Sequence, residues 1–474
     1  MLRDPMDGSS PPDLVARFNA IRAASRSDPF PGLRSRIDRI RRIEAMTIGA
    51  EKRLIEAISD DFSGRSRVET KLSETMTTLS AARHTAKHLK KWMRVRKAPT
   101  ALHFLPLKNR IMPQPLGVVG IVAPWNYPYN LSIIPMISAL SAGNRAMLKP
   151  SELAPATSLL IKELIDERFD PDEATVVTGG VDIASAFVRQ PFDHLFFTGS
   201  SRVGALVAEA AARNLTPVTL ELGGKSPAIL DPSADLDQAI PHIAFAKTFN
   251  AGQTCVAVDY AMMPSAQINP FIEKLGARIA RMYPSLDRND DYTAQISARH
   301  HQRLLDMLEE AQNKGAKLIR PVCDGPGRKM APVIVTDVPE DCALMREEIF
   351  GPILPVIPCE TCDAAIRTVN AGERPLALYW FGRDKVSERR ILRETWAGGV
   401  TINDCLVQFA QDGLPFGGVG QSGMGHYHGR FGFETFSKLK PVTMRPRGPD
   451  GTLLLHAPYG RIARGMIAAL KRLV

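Results

Sequence analysis

Three observations predict an α/β chain built on parallel sheets with helices on both faces. Short apolar runs alternate with amphipathic stretches between about residues 118 and 220. A second alternating set follows Glu221 and runs to about 408. The chain has 474 residues, more than one hydrophobic core accommodates, and that length sets a prior of about three domains.

The elements follow in order. Residues 1–30 are rich in Pro, Ser and Asp, which predicts a loosely ordered start. From Arg34 the pattern turns helical: Ile37, Ile40, Ile43 and Met46 recur at three-residue steps with charges between them. A second helical stretch spans about 67–93. Strands are expected at 118–122, 145–148, 174–177, 194–197 and 217–220. Helices at 131–141, 154–165, 183–188 and 202–213 connect them. Ligands bind such sheets beyond the carboxyl ends of the strands. In the tail, Ile462, Met466 and Leu470 share one helical face among basic residues. Packing on a partner subunit is the plainer reading of that face, and peripheral membrane contact the functional one.

The bulk properties exclude several classes. The net charge of +10 raises nucleic acid as a partner. The basic clusters at 34–42, 90–97 and 461–472 carry no nucleic-acid motif with interleaved aromatics, so a solvated basic surface is expected. The six cysteines, at 255, 323, 342, 359, 362 and 405, form no disulfide framework and suit a reduced, cytoplasmic setting. Cys359 and Cys362 have CxxC spacing without a second pair, so no metal is expected. The amino terminus lacks the apolar core of a signal peptide. Pro124, Pro128 and Pro135 break the most apolar stretch, 117–142, which argues against a membrane span.

Cys255, in FNAGQTC (249–255), is the candidate nucleophile. A lone thiol supplies little thiolate at neutral pH, and Glu221, in LELGGK (220–225), is the candidate proton acceptor. Most free cysteines are merely small buried residues, and composition alone favours that view. Gly199, Ser200 and Gly204 fall where a strand ends and a helix begins, a place that attracts phosphate. Their spacing departs from GxGxxG, and a plain strand–turn–helix corner would look the same. The Glu347–Glu348 pair, taken alone, reads as a solvated surface feature.

The flanking motifs reverse the bland readings. PLGVVGIVAPWN (115–126), KPSE (149–152), FTGS (197–200), LELGGK, GQTC (252–255), EEIFGP (347–352) and PFGGVG (415–420) occur in one order along the chain. Together they resemble the NAD(P)-dependent aldehyde dehydrogenases over about residues 115–440. SGMGHYHG (422–429) followed by FETFS (433–437) resembles the branch that oxidises fatty and aromatic aldehydes, most of all the coniferyl aldehyde dehydrogenases.

The resemblance implies a Rossmann-like NAD-binding domain (1–93 and 117–221), an α/β catalytic domain (222–408), a small bridging oligomerisation lobe (94–116 and 409–445) and a tail (446–474). It implies attack of Cys255 on an aldehyde and an oxyanion met by Asn126 and the Cys255 N–H. Hydride then leaves to a nicotinamide, and Glu221 activates water to open the thioester. For the cofactor it implies Trp125 and Ser200 near the pyrophosphate, Glu348 on the nicotinamide ribose and Phe350 as a wall. Glu152 beside Lys149 would accept from the adenosine ribose and repel a 2′-phosphate, favouring NAD over NADP. Lys225 is expected to lower the thiol pKa or to stand exposed or facing ribose. Cys405, Leu406, Val407 and Phe409 would give an apolar substrate mouth. Many relatives carry a Lys where this chain has Pro135, so any proton path through it is lost. A homodimer without nucleic acid is expected. The competing functions are a coenzyme-A-acylating enzyme, which needs no water-activating Glu221, and a non-enzymatic basic scaffold.

Overall fold

The computed structural model describes residues 11–101, 104–287, 289–447 and 451–471. Its centre is a six-stranded sheet. The spatial order is Gly423–Met424, Val218–Glu221, His194–Thr198, Val118–Val122, Arg145–Lys149 and Ala174–Val176. All neighbours run parallel except the edge strand Gly423–Met424, whose Gly423 pairs with Glu221. Nearly every residue of the inner strands is buried, as expected where helices cover both faces. The strand order reverses at Val118–Val122, which opens a crevice at its carboxyl end.

The expected strands and helices of this unit lie within a residue or two of the observed ones. The start of the chain differs from expectation. Pro12–Ser27 is a helix with Pro in its first turn, a favoured start because the missing N–H has no helical partner there. It buries Leu14, Phe18 and Ile21, and Phe18 meets the Phe192 ring edge-on at 5.2 Å. The i, i+4, i+7 spacing of these residues outweighs the polar composition. Residues 1–10 lie outside the described residues.

The helix Leu33–Phe62 packs an apolar stripe from Ile40 to Phe62 against the helices around the sheet. The helix Asn130–Ser141 is buried along its whole length. Beyond Glu221 a seven-stranded sheet runs Lys317–Ile319, Val333–Thr336, Ile353–Pro358, Tyr260–Met263, Pro227–Leu230, Ala377–Phe381 and Gly399–Ile402. Only the edge strand Lys317–Ile319 is antiparallel. A third, antiparallel sheet joins Arg96–Ala98, Lys108–Pro115 and Ser437–Met444. The tail forms the helix Arg461–Leu470, with Ala463 buried and Ile462 and Ile467 exposed. Among the described residues, no helix is long and apolar enough to cross a membrane.

Candidate active site

Four strand ends and one loop deliver the site. Trp125 and Asn126 follow Val118–Val122, Glu152 follows Arg145–Lys149, Gly199 and Ser200 follow His194–Thr198, and Glu221 ends Val218–Glu221. Cys255 arrives on the turn after the helix Leu236–Thr248. That turn holds Asn250 and Ala251 in the left-handed region, at φ 52° and 51°. Each such residue costs about 1–2 kcal/mol, so the surroundings must hold the turn in place. Gly252 has φ 72°, and a Cβ there would stand 2.3 Å from the Gly351 carbonyl oxygen. The nucleophile turn is thereby pressed against the loop that carries Glu348 and Phe350.

Cys255 is partly exposed, and Asn126 and Glu221 are buried. The Asn126 Nδ2 donates to the Gln253 carbonyl at 3.2 Å, which ties the amide to the chain two residues before the thiol. The Tyr127 hydroxyl bonds Thr254 Oγ1 at 2.6 Å from the other side. Both carboxylate oxygens of Glu221 lack a hydrogen-bond partner. Burial raises its pKa well above the ordinary carboxylate value. The Cys255 thiol is pushed up to about 12 by burial, with Glu348 and Glu221 adding negative potential.

Lys225 does not offset this. Its ammonium is paired with Asp259 and donates to the carbonyls of Leu344 and Glu347 at 2.7 and 2.9 Å. Asp259 in turn accepts from the Ile349 N–H at 2.9 Å, so Lys225 braces the Glu348 loop and neither stands exposed nor tunes the thiol. Arg303 braces the same loop through the carbonyls of Glu348 and Ile349.

The crevice fits a dinucleotide. Glu348 Oε1 and Thr198 Oγ1 are buried without hydrogen-bond partners, so a hydroxyl-bearing ligand can satisfy both. A Cβ on Gly223 would lie 2.0 Å from Glu348 Oε2, so only glycine leaves that carboxyl its place. Burial pushes Glu348 up to about 8, with nearby Asp259 adding to it. Ser200 caps the helix Ser201–Ala212, its hydroxyl accepting from the Val203 N–H at 3.4 Å, and a helix start of this kind attracts phosphate. A Cβ on Gly204 would press on Leu222. The rings of Trp125 and Phe350 stand 5.4 Å apart, edge to face. Lys149 is buried, donates to the Pro150 carbonyl at 2.7 Å and lies 3.5 Å from the half-exposed Glu152.

At the mouth, Leu406 and Phe409 pack against Tyr127, Leu131 and Phe249, while Cys405 is buried and Val407 exposed. Away from the site, Cys362 begins the helix Cys362–Ala371. Among the described residues, no group of three or more His, Cys, Asp or Glu could hold a metal. Arg65, Glu69, Glu74, Tyr127, Asn250 and Gln253 converge behind Asn126, and the sequence pattern does not single out the first four. Of the six, only Asn250 and Gln253 had a signal there, being inside the motif that ends in Cys255.

A thiol, a buried amide and a buried carboxylate without a partner stand beyond the strand ends, a set suited to an enzyme with a thiol nucleophile. The sequence pattern of the aldehyde dehydrogenase family matches residues 19–442, and the chain belongs to that family of enzymes, which oxidise aldehydes to acids. It is 46% identical over 457 residues to a Pseudomonas aeruginosa protein named "Probable coniferyl aldehyde dehydrogenase", covering 96% of each chain. It is 43% identical over 444 residues to the "Coniferyl aldehyde dehydrogenase" of a Pseudomonas species, covering 92% of each. The fold matches the substrate-bound state of Staphylococcus aureus AldH with a TM-score of 0.91 and 35% identity, over 96% of this chain and 99% of that one.

Proposed function

We propose that the protein oxidises an aromatic aldehyde of the coniferaldehyde type, or a long-chain aliphatic one, through a thioester on Cys255. The observation that carries the residue roles is the buried, unpaired Glu221 carboxylate beside a thiol whose neighbouring backbone is tied to the Asn126 amide. The apolar lining by Leu406, Phe409 and Phe249 and the names of the relatives support an aromatic substrate. The cofactor is NAD or NADP. The negative charge of Glu152 at the adenosine end disfavours a 2′-phosphate and so favours NAD.

Burial raises the pKa of both Cys255 and Glu221, so turnover begins when Glu221, as its carboxylate, takes the thiol proton and passes it to solvent. The sulfur adds to the aldehyde carbon, and the oxyanion is met by Asn126 Nδ2 and the Cys255 N–H. One such donor lowers the barrier by about 3 kcal/mol. When bound, the nicotinamide would supply the hydride acceptor, its ribose held by Glu348 and its ring walled by Phe350, with Trp125 and Ser200 near the pyrophosphate. Glu221 then deprotonates a water that opens the thioester, releasing the carboxylate and restoring the thiol.

On the same reading the third sheet, within 94–116 and 409–445, is the bridging lobe of a homodimer. The first unit (1–93 and 117–221) holds the cofactor, and 222–408 the nucleophile. The exposed Ile462 and Ile467 of the tail (446–474) suit a partner subunit. Six free cysteines suit a reducing cytoplasm.

The test is reduced-cofactor absorbance with coniferaldehyde, benzaldehyde, decanal and acetaldehyde, for wild type and Cys255→Ala. Oxidation favouring coniferaldehyde and absent from the variant supports the reading. No turnover of any aldehyde by folded, cofactor-saturated protein refutes it.

A further inference from the structure

Behind Asn126 lies a buried ionic cluster that the mechanism leaves unused. Arg65, Glu69 and Glu74 are all sealed from solvent. The Arg65 Nη1 donates to the Asn126 carbonyl at 2.9 Å and to Glu74 Oε1 at 3.3 Å, and its Nη2 donates to Ser73 Oγ at 3.3 Å. The guanidinium also lies over the rings of Phe62 and Tyr127. Ser73 and Glu74 belong to a π-helical turn, Lys71–Met76, a rare geometry that recurs at functional sites. The other oxygen of Glu74 accepts from the Asn130 N–H at 2.7 Å.

Glu69 works from the opposite side. Its Oε2 accepts from the Asn250 N–H at 3.0 Å and from Thr293 Oγ1 at 2.9 Å. Asn250 is one of the two left-handed non-glycine residues of the nucleophile turn, and its Nδ2 donates to that same Asn126 carbonyl at 3.0 Å and to the Gln253 carbonyl at 3.1 Å.

Burying three ionisable groups is costly, and an apolar set of equal volume often packs as well or better. Stability alone therefore gives little reason for the cluster. Two of its bonds end on backbone points that set the direction of the Asn126 amide, the Asn126 carbonyl and the Asn250 N–H. We infer that Arg65 and Glu69 are positioning residues for acyl transfer, Arg65 holding Asn126 directly and Glu69 holding it through Asn250. The inference rests on Asn126 being the oxyanion donor.

The experiment compares Glu69→Leu, Glu69→Gln and Arg65→Lys with wild type and Cys255→Ala. It measures kcat and KM for coniferaldehyde and the rate of Cys255 alkylation by iodoacetamide. Alkylation occurs at sulfur and builds no oxyanion, so it reports the thiol without the amide. Misplacing a catalytic group by about 1 Å costs about 100-fold, so Glu69→Leu and Arg65→Lys lower kcat by that order, with KM and alkylation within about threefold of wild type. Glu69→Gln, whose carbonyl oxygen still accepts both bonds, recovers most of the rate. Wild-type kcat in Glu69→Leu and Arg65→Lys overturns the inference. So does a parallel fall of kcat and alkylation that Glu69→Gln shares. If Glu69→Leu does not fold, Arg65→Lys, which keeps the charge, decides alone. An inactive wild type, or an active Cys255→Ala, would refute the underlying mechanism instead.

Discussion

At Cys255 and Glu221 burial opposes charge on the two groups that must ionise. Both pKa values are raised, so the fraction of competent enzyme grows as protons are removed. The kcat/KM for an aldehyde therefore climbs from about pH 6 to about pH 9, a rise that stopped-flow or steady-state assays across buffers will show. A profile falling over that interval would contradict the protonation states assigned here. Glu221→Gln retains size and removes the base. It should form the thioester and stall, so mass spectrometry after aldehyde addition should find the acyl group on Cys255. Lys225 shows where residue-level reading stops. Its motif is plain in the sequence, but its partner Asp259 lies 34 residues on, just before the neighbouring strand Tyr260–Met263.

Among the elements, the inner strands were legible because residues buried on both faces read as short apolar runs. The site motifs were legible for a related reason: they sit where those runs end. The helix Pro12–Ser27 was obscured by its flanks, although Leu14, Phe18 and Ile21 fall on one face. Phe18 is enclosed against Phe192. Phe18→Ala should cost about 3–5 kcal/mol in denaturant titration, while the rate per folded molecule is unchanged. A loss below about 1 kcal/mol would mean that the helix does not dock as described. The Arg65 cluster was illegible for a geometric reason. Ser73 and Glu74 both reach Arg65 from the π-helical turn Lys71–Met76, and helical periodicity read from sequence assumes an unbroken α-helix.

For the molecule as a whole, buried ionisable groups set opposing pH slopes. His428 and His194 are lowered to about 3 and about 4 by burial, so the stability they contribute is full above about 6.5 and lost as pH falls. Glu69 and Glu74 are raised to about 7 and Glu348 to about 8, mainly by burial. Their contribution is full below about 4.5 and lost as pH rises through about 7 to 8. Thermal scans should therefore find a plateau near about pH 5–6.5 and a falling Tm on either side. A Tm still rising at about pH 8 would show that these carboxyls are ionised in the folded state.

The strand Val218–Glu221 gains its outer neighbour, Gly423–Met424, only from a distant part of the chain. On the ribosome that edge stays unpaired while about 200 further residues are added, roughly 10–40 s at common elongation rates. An open edge is a template for pairing with another chain. The nascent protein thus carries the Glu221 carboxylate on an adhesive border for much of its synthesis. It becomes an enzyme only once Gly423 has emerged and paired, and a stop codon before that residue would yield an aggregation-prone fragment in place of a weakened catalyst.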